Sequence, residues 1–123
     1  VFAAKDQGVV VVRPQGDTLM AEELRRGRVH LYPGHPDDAT AFSLMESQAC
    51  GLPAVIRPLG AAPERVGNGE TAYVAPDDDA FANLAAMLLS NDEVFGSMSA
   101  AARARYAGRD WDQAAARLEA MLG

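Results

Sequence analysis

Asp38 and Glu46 stand eight residues apart in Asp38-Ala39-Thr40-Ala41-Phe42-Ser43-Leu44-Met45-Glu46, which runs on into Ser47-Gln48-Ala49-Cys50-Gly51-Leu52-Pro53. Two carboxylates thus bracket a loop of small residues that opens a helix. A helix start presents N–H groups without intrahelical partners and a partial positive charge, and both suit an anion. Carboxylates at its edge accept from hydroxyls. An anion and hydroxyls on one ligand describe a nucleotide or a nucleotide sugar. Paired carboxylates also raise glycoside hydrolysis, in which the two flank the scissile bond from opposite sides of a cleft. Here both come from one loop–helix unit, which argues against that chemistry.

The remaining reactive side chains point elsewhere. Ser43 lacks the Gly-x-Ser-x-Gly elbow of a serine hydrolase. Cys50 is the sole cysteine, so no internal disulfide can form. It reads as a small apolar residue closing a buried helix, with no cationic neighbour in sequence to favour a thiolate. His30 falls within a strand and reads as structural; His35 is an isolated loop histidine. Arg57 and Arg65 have the reach for a phosphate, but surface ion pairing is the simpler reading. Glu64 suits either a helix start or a ligand. Asp77, Asp78 and Asp79 read as the acidic start of a helix. No histidine or further ligand is spaced around them for a metal site, so none is expected. Trp111 reads as a core anchor.

The chain has 123 residues and fits one domain or part of a larger one. It begins at Val1, not Met, which suggests a piece of a longer parent. With 49% hydrophobic and 23% charged residues it has an ordinary soluble composition. A net charge of -6 disfavours non-specific nucleic-acid binding, which needs Lys and Arg along phosphates. No apolar run approaches the roughly 18 residues of a membrane span, and no signal peptide is visible. A cytoplasmic protein is expected. Lys5 is the only lysine; that bias, with many alanines, fits a GC-rich genome and carries no mechanism.

These residues must be positioned by alternating strands and helices. Residues 9–13, mostly valine, suit a strand buried on both faces. Asp17 or Thr18 can cap a helix carrying Leu19, Met20 and Leu24, with Gly27 as its stop. A second strand is expected over residues 29–32, then the loop 35–39. The helix over residues 40–50 should bury Phe42, Met45 and Ala49. A third strand follows at 54–57, a one-turn helix after Pro63 and a fourth strand at 71–74. Three helices close the chain, the last with Trp111, Ala115, Leu118 and Leu122 along one stripe. Such alternation predicts an α/β fold with a parallel sheet and helices on its faces. Ligands in such folds bind beyond the carboxyl ends of strands, where the loop 35–39 lies.

The order strand, loop, acid, seven residues, Glu, then Ala-Cys-Gly-Leu-Pro resembles the C-terminal domain of GT-B glycosyltransferases of the retaining, family 4 (group 1) type. Their pattern is Glu-Gly-Phe-Gly-Leu, three residues, Glu-Ala, and a Cys-Gly-x-Pro-like turn. Gly60-Ala61-Ala62-Pro63-Glu64-Arg65-Val66 resembles that family's Gly-Gly-x-Pro-Glu-x-Val. Asn68-Gly69-Glu70-Thr71-Ala72-Tyr73-Val74 resembles its Asp-Gly-x-x-Gly-x-Leu-Val. Asp110-Trp111-Asp112 resembles the Ser/Thr-Trp-Glu start of its last helix. Residues 9–24 resemble its Val-x-Phe-x-Gly segment and the Glu-Leu helix after it. The likeness runs from about residue 9 to the end.

The resemblance implies a Rossmann-like parallel sheet with flanking helices, the C-terminal part of a GT-B enzyme. Residues 1–123 would be part of its nucleotide-sugar-binding domain, without the acceptor domain. Glu46 would bind ribose hydroxyls and Asp38 hydroxyls of the donor sugar. Backbone N–H groups of Ala39, Thr40, Ala41, Phe42 and Ser43 would face the diphosphate. Gly60, Ala61 and Ala62 would lie near the nucleotide or the sugar, with Pro33 and His35 on the same rim. No residue of the chain is assigned to catalysis, and no cofactor or metal is implied beyond the nucleotide-sugar substrate. An Arg and a Lys on loops before Val1 would meet the diphosphate, and an N-terminal domain would bind the acceptor. A sheet without its first strands would expose an edge and favour self-association.

This chain departs from the pattern at the loop itself. Asp38 replaces Glu, Ala39 and Ala41 replace two glycines, Thr40 replaces an aromatic and Phe42 replaces Leu. Each added Cβ restricts close backbone approach, while the Thr40 hydroxyl can cap the helix or meet a phosphate. The alternative reading is a non-catalytic nucleotide-binding or interaction module derived from such a domain.

Overall fold

The computed structural model describes Gly8, Val12, Arg13 and residues 16–123. Most of the strand expected over residues 9–13 lies outside them; Val12 and Arg13 are not in a strand. The elements run α1 (Asp17–Arg26), β1 (His30–Tyr32), α2 (Phe42–Ala49), β2 (Ala54–Ile56), a one-turn 3-10 helix (Ala62–Arg65), β3 (Ala72–Val74), α3 (Asp78–Ser90), α4 (Asp92–Tyr106) and α5 (Trp111–Leu122). Helix α1 opens after Gly16 with no side-chain cap, so neither Asp17 nor Thr18 caps it. Gly27 ends it in an extended conformation. Space is tight at that glycine: a Cβ there would lie 3.0 Å from the Leu52 side chain, which would have to give by a few tenths of an ångström.

The three described strands are all parallel, in the order β1-β2-β3. The central strand β2 is buried on both faces, as expected of a short apolar run in a parallel sheet. Its side chains alternate between two cores. Ala54 and Ile56 join Leu44 of α2 and Ala62 of the 3-10 helix on one face. Val55 joins Ala85 and Leu88 of α3 and Met98 of α4 on the other. Both connections between adjacent parallel strands thus lie on one face, as crossovers of one hand require when the chain advances in one direction. This α/β arrangement of a parallel sheet flanked by helices is the Rossmann-like architecture anticipated.

Polar side chains fix the helix ends. Asp77, Asn91 and Asp110 cap α3, α4 and α5 by accepting from the N–H groups of Ala80, Val94 and Gln113 at 2.8, 3.0 and 2.9 Å. Asp78 pairs with Arg57, so the acidic triplet is accounted for at its first two positions by a cap and an ion pair.

Two expected faces are different. Phe42 is 62% exposed and Ala49 is exposed, while Leu44, Ser47 and Gln48 form the buried face of α2. Hydrophobic periodicity selected the wrong stripe because two of the buried residues are polar. Gln48 Nε2 donates to the carbonyls of Leu44 and Arg65 at 3.0 and 2.9 Å. The Ser47 hydroxyl donates to Leu44 O at 3.1 Å and meets His30 Nδ1 at 2.7 Å. At the C-terminus, Trp111 is 89% exposed and no residue of α5 is buried. Trp111 is therefore not a core anchor. An amphipathic stripe shows that a face wants a partner, and none among the described residues covers this one. Between α5 and the exposed side of α2 lies an open groove of about 540 Å³, with Phe42 and Met45 opposite Trp111, Leu118 and Met121.

Candidate functional site

Strand β1 ends at Tyr32, and the chain crosses the carboxyl edge of the sheet before α2 opens at Phe42. Asp38 organises this crossing. Its Oδ2 accepts from the Tyr32 hydroxyl. Its Oδ1 accepts from the N–H groups of Thr40 and Ala41 at 3.2 and 3.0 Å. An aspartate is short enough to bond amides two and three residues ahead, the geometry of an Asx turn. Donation from Tyr32 above all, with the Ala41 and Thr40 amides, holds the Asp38 carboxyl below the usual carboxylate range. The same bond, joined by burial and by the Asp38 charge, pushes the Tyr32 phenol up, with the Ser43 hydroxyl opposing.

A second loop braces the first. Ala61 N–H donates to Asp38 O at 2.8 Å, and Asp38 N–H donates to His35 O at 3.1 Å. Gly60 has φ +56°, and a Cβ there would lie 2.6 Å from the carbonyl oxygens of both His35 and Asp38. Glycine is required for conformation and for space. The structure thus brings His35, Asp38, Gly60 and Ala61 together through their backbones. The His35 side chain is exposed, and its Nδ1 accepts from Asp37 N–H at 3.1 Å. Ala61 is 9% exposed, and its methyl faces the core with Ala41 and Leu44.

Helix α2 begins without a side-chain cap. The cap position is Ala41, in the left-handed conformation at φ 48°, ψ 43°. The Thr40 hydroxyl does not cap it. Thr40 and Ala39 are exposed. The amides of Phe42 and Ser43 donate to no group among the described residues. Glu46 lies on the exposed side of α2 with Phe42 and Ser43, four and three residues before it. Its carboxylate makes no hydrogen bond or ion pair among the described residues. The two carboxylates are therefore unequal: Asp38 is bound into the protein and Glu46 is open.

Two contributors were not assigned to the site from sequence. Tyr32 is a strand residue whose hydroxyl emerges at the loop; a tyrosine ending the strand that leads into the loop is the only cue. Arg65 was read as a surface ion-pair former. Its Nε instead donates to Thr40 O at 3.0 Å, and it makes no ion pair among the described residues. Arg57, in contrast, does pair with an acid, Asp78.

Among the described residues, no helix is long and apolar enough to cross a membrane. No curated protein matches the chain. The family model described as "Glycosyl transferases group 1" matches residues 2–91. That span contains the sheet, both loops and the whole of α2 and α3. The chain therefore belongs to the group 1 glycosyltransferases.

Proposed function

We propose that the loop after β1 and the start of α2 bind a nucleotide-diphosphate sugar and present it for glycosyl transfer, of the hexosyl type and with retention. Glu46 carries this reading. An exposed carboxylate without a partner among the described residues, one turn into a helix whose first amides are open among them too, suits a ligand with adjacent hydroxyls and an anion. Glu46 accepts from the ribose hydroxyls. The amides of Phe42 and Ser43 meet the diphosphate, with Ala39, Thr40 and Ala41 as the backbone beside it. Asp38 already accepts three hydrogen bonds. A carboxylate has room for about four, and a donor-sugar hydroxyl is our assignment for the last. His35, Gly60 and Ala61 form the rim.

An N-terminal acceptor domain, an Arg and a Lys on loops ahead of Val1, and a cytoplasmic location belong to the same proposal. The chain supplies binding and orientation; the leaving diphosphate is stabilised electrostatically by those added cations. A non-catalytic interaction module is the second reading. The occupied carboxylate of Asp38 and the methyl groups of Ala39 and Ala41 favour it. Titration of the whole protein with uridine, guanosine and adenosine diphosphates separates the two. Donor binding predicts saturable binding of at least one of them, lost on Glu46→Ala. No binding of any by the intact protein would leave the interaction module standing.

A further inference from the structure

Ala41 is the only described non-glycine residue with positive φ, and it is 2% exposed. A Cβ makes this conformation unfavourable, so it persists only where the surroundings enforce it. One peptide unit joins the Thr40 carbonyl to the Ala41 amide. Its N–H donates to Asp38 Oδ1 at 3.0 Å, and its C=O accepts from Arg65 Nε at 3.0 Å. Side chains of opposite charge, one from the loop after β1 and one from the end of the 3-10 helix, therefore grip the same peptide at both ends. Fixing the plane of that peptide restricts ψ of Thr40 and φ of Ala41 together.

Both grips are themselves anchored. Asp38 is held by the Tyr32 hydroxyl and by Ala61 N–H. The Arg65 carbonyl accepts from Gln48 Nε2 of α2 at 2.9 Å and from the Tyr106 hydroxyl of α4 at 2.6 Å. The side chain of Arg65 thus starts from a point tied to two helices.

We propose that Asp38 and Arg65 clamp the Thr40–Ala41 peptide and preset the loop for the donor, which makes Arg65 a positioning residue for donor binding. The aspartate, the alanine and the arginine then form one coupled unit: the charged pair enforces a backbone conformation that a glycine adopts unaided. This rests on the donor-site reading above.

A double-mutant cycle of Arg65→Met and Ala41→Gly tests it in the whole protein, with uridine, guanosine and adenosine diphosphates as probes. Amide exchange at residue 41 is the second readout. Arg65→Met is expected to weaken diphosphate binding about tenfold and to speed exchange at residue 41. Ala41→Gly should restore affinity in the Arg65→Met background to within about twofold, since glycine takes the left-handed conformation freely. A general loss of stability would not be rescued by a glycine. Additive losses, or an Arg65→Met protein with unchanged affinity and exchange, would overturn the proposal. If the unsubstituted protein binds none of the diphosphates, the donor reading fails and the positioning role falls with it. Exchange at residue 41 then decides the clamp alone: faster exchange in Arg65→Met upholds it, and unchanged exchange removes it too.

Discussion

At the scale of single residues, hydrogen-bond occupancy separates groups that look alike in sequence. Asp38 accepts from Tyr32, Thr40 and Ala41, whereas Glu46 is open to solvent. The spacing of the two acids was legible, because acid–loop–helix is a local pattern. Their inequality was not, because it depends on a tyrosine from the preceding strand and on the Thr40 and Ala41 amides turning back onto the Asp38 carboxylate. His30 shows the same dependence. Burial holds its imidazole below the ordinary value of 6.5. The Ser47 hydroxyl spends its hydrogen on Leu44 O, so the bond at 2.7 Å is donated by His30 Nδ1–H and accepted by Ser47. The unfolded chain takes up a proton near pH 6.5, and the folded one only at lower pH. Between those values the unfolded state binds more protons, so stability falls as pH falls. Urea melts from pH ~7.5 to ~5.5 should show this decline. His30→Gln should flatten it and cost about 1 kcal/mol at the upper end for the lost hydrogen bond. The Asp38 contribution is present above the usual carboxylate range and is lost only as pH falls through its lowered value, so the two windows are separate.

At the scale of elements, the site is two loops held backbone to backbone at the edge of a parallel sheet. Gly60 is the contact. Gly60→Ala adds left-handed strain and places a methyl against two carbonyl oxygens. Gly69, at φ +80°, has nothing within 4 Å of its would-be Cβ, so Gly69→Ala adds strain alone. The strain costs about 1–2 kcal/mol in each. Gly60→Ala should therefore be the more destabilising by about 1 kcal/mol or more, measured by denaturant unfolding. Equal losses would mean that the two loops do not pack as described. The three described strands and most helices were legible from short apolar runs, glycine and proline stops and acidic helix starts. The inward face of α2 was not. Gln48 Nε2 and the Ser47 hydroxyl are tied to backbone carbonyls and His30, while Gln48 Oε1 is buried without a partner among the described residues, and a hydrophobic pattern cannot register polar groups held inside in this way.

At the scale of the whole molecule, the core lies on both faces of the sheet and leaves α5 outside it. The stripe on α5 was legible; its lack of cover among the described residues was not, because amphipathicity states a need without naming the partner. Trp111 is the sole tryptophan and reports on this directly. Its emission in the 123-residue chain should be red-shifted and readily quenched by acrylamide. Trp111→Ala should alter stability by no more than about 0.5 kcal/mol. A loss of about 3–5 kcal/mol, typical of a truncated core aromatic, would show that α5 packs inward.

The open carboxylate of Glu46 is where the functional account is most exposed to test. Binding of uridine, guanosine and adenosine diphosphates to the whole protein, with and without Glu46→Ala, is the direct measurement. A carboxylate accepting from ribose hydroxyls should be worth at least about tenfold in affinity. The account predicts that loss with the melting temperature unchanged. Equal affinity in the two proteins would contradict it.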